Sequence, residues 1–348
     1  MSLPPVVIPL GAMRFNSDSQ KLEYFNGEIW MQVHTFNPDL NGGARAFWAG
    51  GYTYPNGACA NNVEMTTIST AGNSTDWCNL SASLAGGGNC ADGTRAIYAG
   101  GKGPAVPGGS YVNQIQYTTF SSQADYVDGG GDLSGSGFCS GLANSTRGIF
   151  SGFTPYSDKI EYITIQSIGN AVDFGNLTAT RGYTMQCASS TRGLFCGGIN
   201  NPSSPSINII DYVTIASTGD AEDFGDTSGG ATAYEGTSFS NSTRGFTAGG
   251  YRGSYTSRID YVTIATKGNA VDFGNLLAEA PGTGKGGASS PTRGLIAGGY
   301  SPSSPHYSYC IQYITLQTAG DAVDFGDLSG FDRRMPQGGC SNAHGGLG

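Results

Sequence analysis

Short runs of β-branched and aromatic residues recur along the chain, separated by segments rich in glycine, serine and asparagine. The run at residues 160–165 (Ile-Glu-Tyr-Ile-Thr-Ile) has apolar side chains in both alternating registers, and only its second residue is acidic. A strand that is covered on both faces shows this pattern. Such runs therefore predict buried strands, and related runs start at Val63, Ile115, Ile210, Ile259 and Ile311.

A second motif precedes each of these runs, and an Asp-aromatic-Gly type of segment follows each of them. The motif reads Thr-Arg-Gly-Leu-Phe-Cys-Gly-Gly at residues 191–198, and the segment reads Asp-Phe-Gly-Asn-Leu at residues 173–177. The recurring arginines are Arg45, Arg95, Arg147, Arg192, Arg244 and Arg293. The recurring aspartates are Asp76, Asp128, Asp173, Asp223, Asp272 and Asp324.

The spacing between these landmarks defines a repeating unit of 45–52 residues, measured from one arginine to the next. The third residue of each β-rich run precedes its aspartate by 11 residues in every copy, and the aspartate precedes the next arginine by 19 or 21. The step from the arginine to the β-rich run varies from 15 to 22 residues. Each unit thus combines a fixed frame with one loop of variable length.

Four strands fit this frame: a run of small residues before the arginine, the arginine-led run, the β-rich run, and the aspartate-led run. Four-stranded units of this length are typical of a β-propeller. We therefore predict an all-β fold, a six-bladed β-propeller of four-stranded blades. The unit that contains Arg45 has no first strand before it, and the tail at residues 336–344 follows Asp324 at the right distance to supply one. We expect this C-terminal strand to close the propeller and remove its edge, with His344 in the arginine position and residues 345–348 free.

The repeat resembles the kelch family in its Gly-Gly pair after the second strand and its aromatic residues in the third and fourth strands. The resemblance covers about residues 41–348 and implies kelch-like blades. One feature departs from the family pattern: the fourth strand of a kelch repeat usually carries a tryptophan, whereas here only Trp77 does and the other copies have Phe or Gly.

Residues 1–40 lie outside the repeat and predict a short β-hairpin segment with an Asn-Gly turn at residues 26–27. The pattern Gly-x-x-Arg-x-Asn, followed by Leu-Glu-x-x-Asn-Gly-x-x-Trp, resembles a small β-hairpin module of bacteriophage tail-fibre and other virion appendage proteins. This resemblance implies a virion protein, made in the host cytoplasm, whose residues 1–40 attach to other virion proteins or form a homo-oligomer such as a trimer. The alternative is a hairpin that only packs under the propeller.

Charge and composition exclude several classes of function. Lysine and arginine number 17 in a chain of net charge −9, without a basic cluster, so a nucleic-acid partner is not expected. The sequence contains no apolar run of about 18 residues, which argues against membrane insertion, and its start lacks the basic segment of a signal peptide. Eight cysteines form no C-x-x-C pair, so we expect small, buried thiols.

Catalytic and cofactor motifs are not convincing. The Gly-x-Gly-x-x-Gly pattern at residues 282–287 opens no predicted helix, and Asp-Phe-Gly recurs as part of the repeat. The three histidines (His34, His306 and His344) lie in different parts of the chain, and no nucleophile–histidine set is recognisable. We predict neither enzyme activity nor a cofactor or metal site.

The recurring arginine and aspartate are expected at the same end of each blade, because they open its second and fourth strands. We predict that they are structural, with an Arg–carboxylate or Arg–carbonyl contact that fixes the turns of each blade. The variable loops between the second and third strands lie at the opposite face. Their Tyr, Ser, Asn and Gly content resembles that of an antibody combining site, and tyrosine rings also suit sugar rings. The candidate ligand-binding residues are Tyr52, Tyr54, Tyr111, Tyr156, Asn200, Tyr251, Arg252, Tyr255, Tyr300, His306, Tyr307 and Tyr309.

Three hypotheses follow for the function. The first is a tail fibre or receptor-binding appendage that binds a host-surface glycan or protein through these loops. The second is a structural virion decoration or adaptor protein that binds only other virion proteins, in which case the loops are ordinary surface loops. The third and weakest is an enzyme that degrades surface polysaccharide.

Overall fold

The structure is a computed structural model and divides into two compact units, Met1–Gly42 and Gly43–Gly348. It describes residues 8–16, 21–32, 43–53, 57–104, 109–201, 207–228, 235–251, 254–277, 286–299, 308–329, 334–335 and 338–347.

The first unit contains a three-stranded antiparallel sheet of β1 (Met13–Asn16), β2 (Lys21–Phe25) and β3 (Trp30–Gln32). The turn between β2 and β3 contains the predicted Asn-Gly pair, and the Asn26 side chain accepts hydrogen bonds from the amides of Glu28 and Ile29 at 3.0 and 2.8 Å. The Glu23 carboxylate binds Arg14 and Asn16, at 2.9 Å each. The motif residues of this segment thus form one polar cluster.

The second unit is almost entirely β-structure, in four-stranded antiparallel sheets that we number in chain order. Sheet 1 contains β4 (Arg45–Ala49), β6 (Ala60–Thr67), β7 (Thr75–Leu84) and β29 (Gly339–Ser341); sheet 2 contains β8 (Gly88–Ala91), β9 (Arg95–Ala99), β10 (Gln114–Thr119) and β11 (Val127–Asp132). Sheet 3 contains β12 (Ser140–Ala143), β13 (Arg147–Ser151), β14 (Ser157–Thr164) and β15 (Val172–Arg181).

Sheets 4 to 6 continue the series in the same strand order. Sheet 4 contains β16 (Met185–Ala188), β17 (Arg192–Cys196), β18 (Ile209–Thr214) and β19 (Glu222–Asp226); sheet 5 contains β20 (Thr237–Ser240), β21 (Arg244–Ala248), β22 (Arg258–Thr263) and β23 (Val271–Asn275). Sheet 6 contains β24 (Gly287–Ser289), β25 (Arg293–Ala297), β26 (Cys310–Thr315) and β27 (Val323–Asp327). A two-stranded sheet pairs β5 (Tyr52–Thr53) with β28 (Arg334–Met335), and a 3₁₀ helix covers Gly345–Leu347. This all-β architecture is consistent with a β-propeller.

The hydrophobic core lies between neighbouring sheets. One cluster joins Leu142, Ile149 and Ile160 of sheet 3 to Phe195 and Val213 of sheet 4, all of them buried. The β-rich third strands are therefore covered on both faces, as their apolar pattern predicts.

The Asp-Phe-Gly segments fit this close packing. In sheet 3 the Phe174 ring is buried and meets Tyr162 edge-on. At Gly175 (φ +146°) a β-carbon would come within 2.3 Å of the carbonyl oxygen of Gly219, in a turn of sheet 4. Only glycine allows this approach, and the Gly219 amide then donates to the carbonyl oxygen of Phe174 at 2.7 Å.

Asparagine or aspartate side chains in the turns before the fourth strands also link neighbouring sheets. The Asp220 carboxylate of sheet 4 accepts a hydrogen bond from the amide of Asn176 in sheet 3 at 2.9 Å. The corresponding acceptors are Asn73, Asp125, Asn170, Asn269 and Asp321.

Sheet 1 takes its first strand from the C-terminal tail: β29 pairs antiparallel with β4, with Cys340 opposite Phe47. Asn342 accepts a hydrogen bond from the Arg45 amide at 2.8 Å, as Asn144 does from the Arg147 amide three residues later in its own sheet. Asn342 thus stands three residues before the arginine position.

Two expectations for the tail are therefore wrong. In the register set by Asn342, Gly345 and not His344 aligns with the arginine of the repeat, 21 residues after Asp324 as in the two preceding units; in sheet 1 the place of that arginine is taken by Arg45. Residues 345–347 are not free either, since they form the 3₁₀ helix, in which Gly345 and Gly346 are buried.

Candidate functional site

The six recurring arginines connect neighbouring sheets. The Arg192 guanidinium lies over the Tyr212 ring of its own sheet, 4.9 Å from the ring centre, and its Nη1 donates to the carbonyl oxygens of Ile264 and Ala265 in sheet 5, at 3.0 and 2.8 Å. The other five arginines make equivalent contacts: Arg45 with Trp77 and Phe120, Arg95 with Tyr117 and Ile165, Arg147 with Tyr162 and Ile215, Arg244 with Tyr261 and Leu316, and Arg293 with Tyr313 and Ile68.

The recurring aspartates do not pair with these arginines. Among the described residues, no salt bridge joins a member of one set to a member of the other. Each aspartate is the second residue of a fourth strand and is exposed, whereas each guanidinium points towards the neighbouring sheet. The expected Arg–carbonyl contact therefore forms, between sheets and not within one, and the Arg–carboxylate alternative is wrong. The exposed aspartates are Asp76, Asp128, Asp173, Asp223, Asp272 and Asp324.

Buried polar side chains at the second position of each β-rich run, within the third strands, form a set that the sequence pattern did not assign. Asp211 is fully buried, and its carboxylate accepts from the amide and hydroxyl of Thr178 in sheet 3, at 2.9 and 2.7 Å, and from Arg181 at 2.9 Å. Burial lowers the pKa of Arg181, and the Asp211 carboxylate opposes that shift. Equivalent side chains, each buried and bonded to the preceding sheet, are Glu64, Gln116, Glu161, Asp260 and Gln312.

Seven of the twelve candidate loop residues lie within the described residues. Tyr111 and Tyr309 are 45% and 44% exposed, Asn200 is exposed, and Tyr52, Tyr156, Tyr251 and Tyr255 are partly buried. The other five lie outside the described residues: Tyr54, Arg252, Tyr300, His306 and Tyr307.

Two of these tyrosines belong to a continuous aromatic group that spans sheets 2 to 4. The ring centres of Tyr111 and Phe138 are 5.4 Å apart, those of Phe138 and Tyr183 6.0 Å, and those of Tyr183 and Tyr156 6.4 Å. We call these four residues the aromatic cluster. Tyr251 and Tyr255 form a separate pair, at 5.3 Å.

Phe138 and Tyr183 were missed because they lie in the connections that lead from one sheet to the next. In an antiparallel four-stranded sheet these connections end at the same face as the loops between the second and third strands. The sequence pattern that marks these two residues is an aromatic residue directly after a glycine (Gly137 or Gly182) and shortly before a first strand.

The aromatic cluster has charged neighbours and a strained backbone. The Lys102 amine lies 5.9 Å from the centre of the Tyr111 ring. Burial, and then the nearby Glu235 carboxylate, raise the pKa of Tyr183. Tyr183 and Glu235 have φ values of +56° and +59°, a region that non-glycine residues rarely adopt and that is concentrated at functional sites.

The remaining titratable groups show no obvious chemical centre. All eight cysteines are free thiols and seven are buried, and burial raises the pKa of Cys78 and Cys340 to about 12. Within the described ranges, His, Cys, Asp and Glu side chains form no group of three or more that could hold a metal ion. In the same part of the chain, no helix has the length and apolar character needed to cross a membrane.

Comparison of the sequence with models of known protein families and with curated proteins finds no match.

Proposed function

We propose that residues 43–347 form a six-bladed β-propeller with kelch-like blades, closed by β29. Three series of contacts between neighbouring sheets support this proposal, and each includes a contact between sheets 6 and 1. Arg293 donates to the carbonyl oxygen of Ile68, Glu64 accepts from the amide of Ser329 at 2.8 Å, and Asn73 accepts from the amide of Asp327 at 3.0 Å.

We further propose that this propeller is the binding module of a phage virion appendage, a tail fibre or receptor-binding protein. Its loop face contacts a glycan or protein of the host surface. The observation that carries this proposal is the aromatic cluster, with four rings in continuous contact at the face where the loops vary. Aromatic side chains provide large contact areas at a low entropic cost, which suits a binding surface on a rigid scaffold.

The virion assignment rests on the resemblance of residues 1–40, and the N-terminal sheet is compatible with an attachment role. Its residues alternate between two faces. One face carries the bonded pair Arg14 and Glu23, and the other exposes Met13, Phe15 and Tyr24 at 62%, 66% and 40%. An apolar face of this kind is typical of a surface that binds another protein. It equally favours the second candidate function, a decoration or adaptor protein that binds only virion proteins.

The experiment is attachment of the purified full chain to host cells or to their surface polysaccharide, compared with two tyrosine variants. We expect Tyr111→Ala to weaken attachment at least about five-fold, because loss of a contact residue at a binding centre costs more than about 1 kcal/mol. Tyr309→Ala is the matched control: its side chain is equally exposed but lies outside the aromatic cluster. We expect it to retain attachment within about two-fold.

Two other results would favour a different function for this protein. Absence of attachment by the unaltered chain would favour the decoration or adaptor function. Breakdown of the polysaccharide, abolished by substitution of a single carboxylate, would favour an enzyme.

A further inference from the structure

The first strands of the sheets line a narrow cavity. β8, β12, β16, β20, β24 and β29 contact one another in this order, and β29 also contacts β8. Part of the cavity, with a volume of about 60 Å³, is lined by Asn89, Ser140, Gln186, Ser238 and Gly338 among others. We call this part the axial well.

Two amide side chains in the axial well have polar atoms without hydrogen-bond partners. Asn89 is 7% exposed, and neither its Nδ2 nor its Oδ1 has a partner among the described residues. Gln186 is 5% exposed; its Nε2 donates to the hydroxyls of Ser151 and Thr184, whereas its Oε1 has no partner there. Buried polar groups are normally satisfied, so these three atoms indicate that another molecule completes the site.

The neighbouring hydroxyls are already committed to the protein. Ser238 donates to the carbonyl oxygen of Gln186 at 2.7 Å and accepts from its amide at 2.8 Å. Ser140 donates to the carbonyl oxygen of Thr184 at 2.7 Å. The axial well therefore offers one amide donor and two amide acceptors.

This combination of donor and acceptors selects a neutral ligand. A hydroxyl group both donates and accepts, so it can satisfy the Asn89 and Gln186 amides together. The described residues that line the axial well include no Asp, Glu, Lys or Arg. Burying a charged group without a partner is unfavourable, which argues against an ionic ligand.

The axial well opens beside the aromatic cluster. Tyr183 directly precedes Thr184, which lines the well, and the Phe138 ring lies so close to Gly86 that a β-carbon there would meet it. At the other end of the cavity, β-carbons on Gly345 and Gly346 would collide with the carbonyl oxygens of Asn241 and Ala143. The C-terminal 3₁₀ helix thus packs against that end, and the loop face is the entrance.

We propose that the axial well is a subsite for a neutral, hydroxyl-bearing end group of a carbohydrate, whose sugar ring lies against the aromatic cluster. This inference rests on the proposed binding function and names its ligand class. A volume of 60 Å³ is larger than the roughly 10–15 Å³ that one buried water molecule needs. It therefore admits one hydroxymethyl or hydroxyl group in place of water, and the rest of the sugar remains at the mouth.

The test is titration of the full chain with D-glucose, D-galactose, N-acetyl-D-glucosamine and glycerol, monitored by saturation-transfer NMR. We expect at least one of these sugars to bind and Asn89→Ala to weaken that binding at least ten-fold. Gln186→Met is the second variant and should weaken it in the same direction. Thr227→Val is the control, because Thr227 is also buried, its hydroxyl has no partner among the described residues, and it does not line the well.

Folding of the variants is checked by near-ultraviolet circular dichroism and thermal unfolding. Because the Asn89 amide has no partner, we expect Asn89→Ala to unfold at the same temperature as the unaltered chain. Sugar binding that is unchanged in both Asn89→Ala and Gln186→Met would overturn the inference. The inference would also be overturned if attachment to host polysaccharide depends on Tyr111 but none of the four probes binds. The proposed function would then still stand. If the unaltered chain binds neither host polysaccharide nor any of the four probes, both the inference and the proposed function are overturned.

Discussion

At the scale of single residues, the positions that recur and the positions that we propose to bind a ligand are different sets. The recurring arginines are committed to carbonyl oxygens of the neighbouring sheet, and the buried acids and amides of the third strands are bonded to the preceding sheet. The aromatic cluster, by contrast, comes from loops and connections that differ between units. Among the recurring residues, the arginines and the buried side chains of the third strands therefore hold neighbouring sheets together, whereas the recurring aspartates are exposed.

Arg181 of sheet 3 and Asp211 of sheet 4 form a fully buried ion pair between neighbouring sheets, with both side chains at 0% exposure. We expect Arg181→Met to lower the free energy of unfolding by about 3–5 kcal/mol, because it leaves a buried carboxylate without its cation. Urea-induced unfolding, followed by fluorescence, measures this loss.

Arg258→Met is the matched control for that variant. Arg258 binds Asp260, the equivalent carboxylate of sheet 5, at 2.7 Å, but its side chain is 33% exposed. Asp260 is itself fully buried, but water reaches the partly exposed Arg258, so we expect a smaller loss than for Arg181→Met. Equal losses for the two variants would show that burial does not set the contribution of these ion pairs.

At the scale of the elements, the constant 11-residue and 19–21-residue steps were enough to predict the four strands of each unit and their order. The third strands could be predicted as covered on both faces because their apolar residues fill both registers. The side chains of the acids within them could not be placed, since a carboxylate in an apolar strand has no visible partner in the sequence. Phe138 and Tyr183 could not be predicted from the variation in loop length, because they lie in the connections between sheets and not in the loops of variable length.

The C-terminal tail shows how a small error in spacing changes the interpretation of a residue. A step of 20 residues after Asp324 predicts His344 in the arginine position. Placed one residue earlier, it lies at the end of the axial cavity, where its Nε2 donates to the carbonyl oxygen of Ala91 at 2.6 Å and its Nδ1 accepts from the amide of Gly346 at 3.1 Å. Both bonds require a neutral ring with its proton on Nε2.

This contact predicts a dependence of stability on pH. Burial lowers the pKa of His344 below the ordinary value of 6.5, although the bond to Ala91 and the charge of Asp92 oppose the shift. Well above pH 6.5 the ring is neutral in both states and does not affect the free energy of unfolding, whereas at pH 6.5 it is half protonated in the unfolded state. As the pH falls below 6.5, the unfolded state binds the proton more readily, so stability decreases until the pKa of the folded state is reached.

The measurement is urea-induced unfolding of the unaltered chain and of His344→Gln at pH values from 7.5 to 5. We expect the difference between the two free energies of unfolding to change as the pH falls through about 6.5 and to level off towards pH 7.5. The other two histidines are present in both chains, so their titration cancels in this difference. A difference that does not vary with pH would show that His344 is equally accessible to protons in both states.

At the scale of the whole molecule, the proposed closed propeller depends on how sheets 6 and 1 meet. The tail supplies the first strand of sheet 1, and Arg293 reaches from sheet 6 to the carbonyl oxygens of Ile68 and Ser69 in sheet 1, at 3.2 and 2.8 Å. These distances match those of Arg192 to sheet 5, between two sheets that are consecutive in the chain. In a closed propeller the two arginines make equivalent contributions.

The most direct test compares the free energies of unfolding of Arg293→Met and Arg192→Met. Each variant loses charge-assisted hydrogen bonds and an aromatic contact, so we expect a loss of about 2 kcal/mol. The closed six-bladed propeller predicts equal losses within about 0.5 kcal/mol. A loss of about 2 kcal/mol for Arg192→Met, with almost none for Arg293→Met, would show that sheets 6 and 1 are not joined in solution and would contradict the closed propeller.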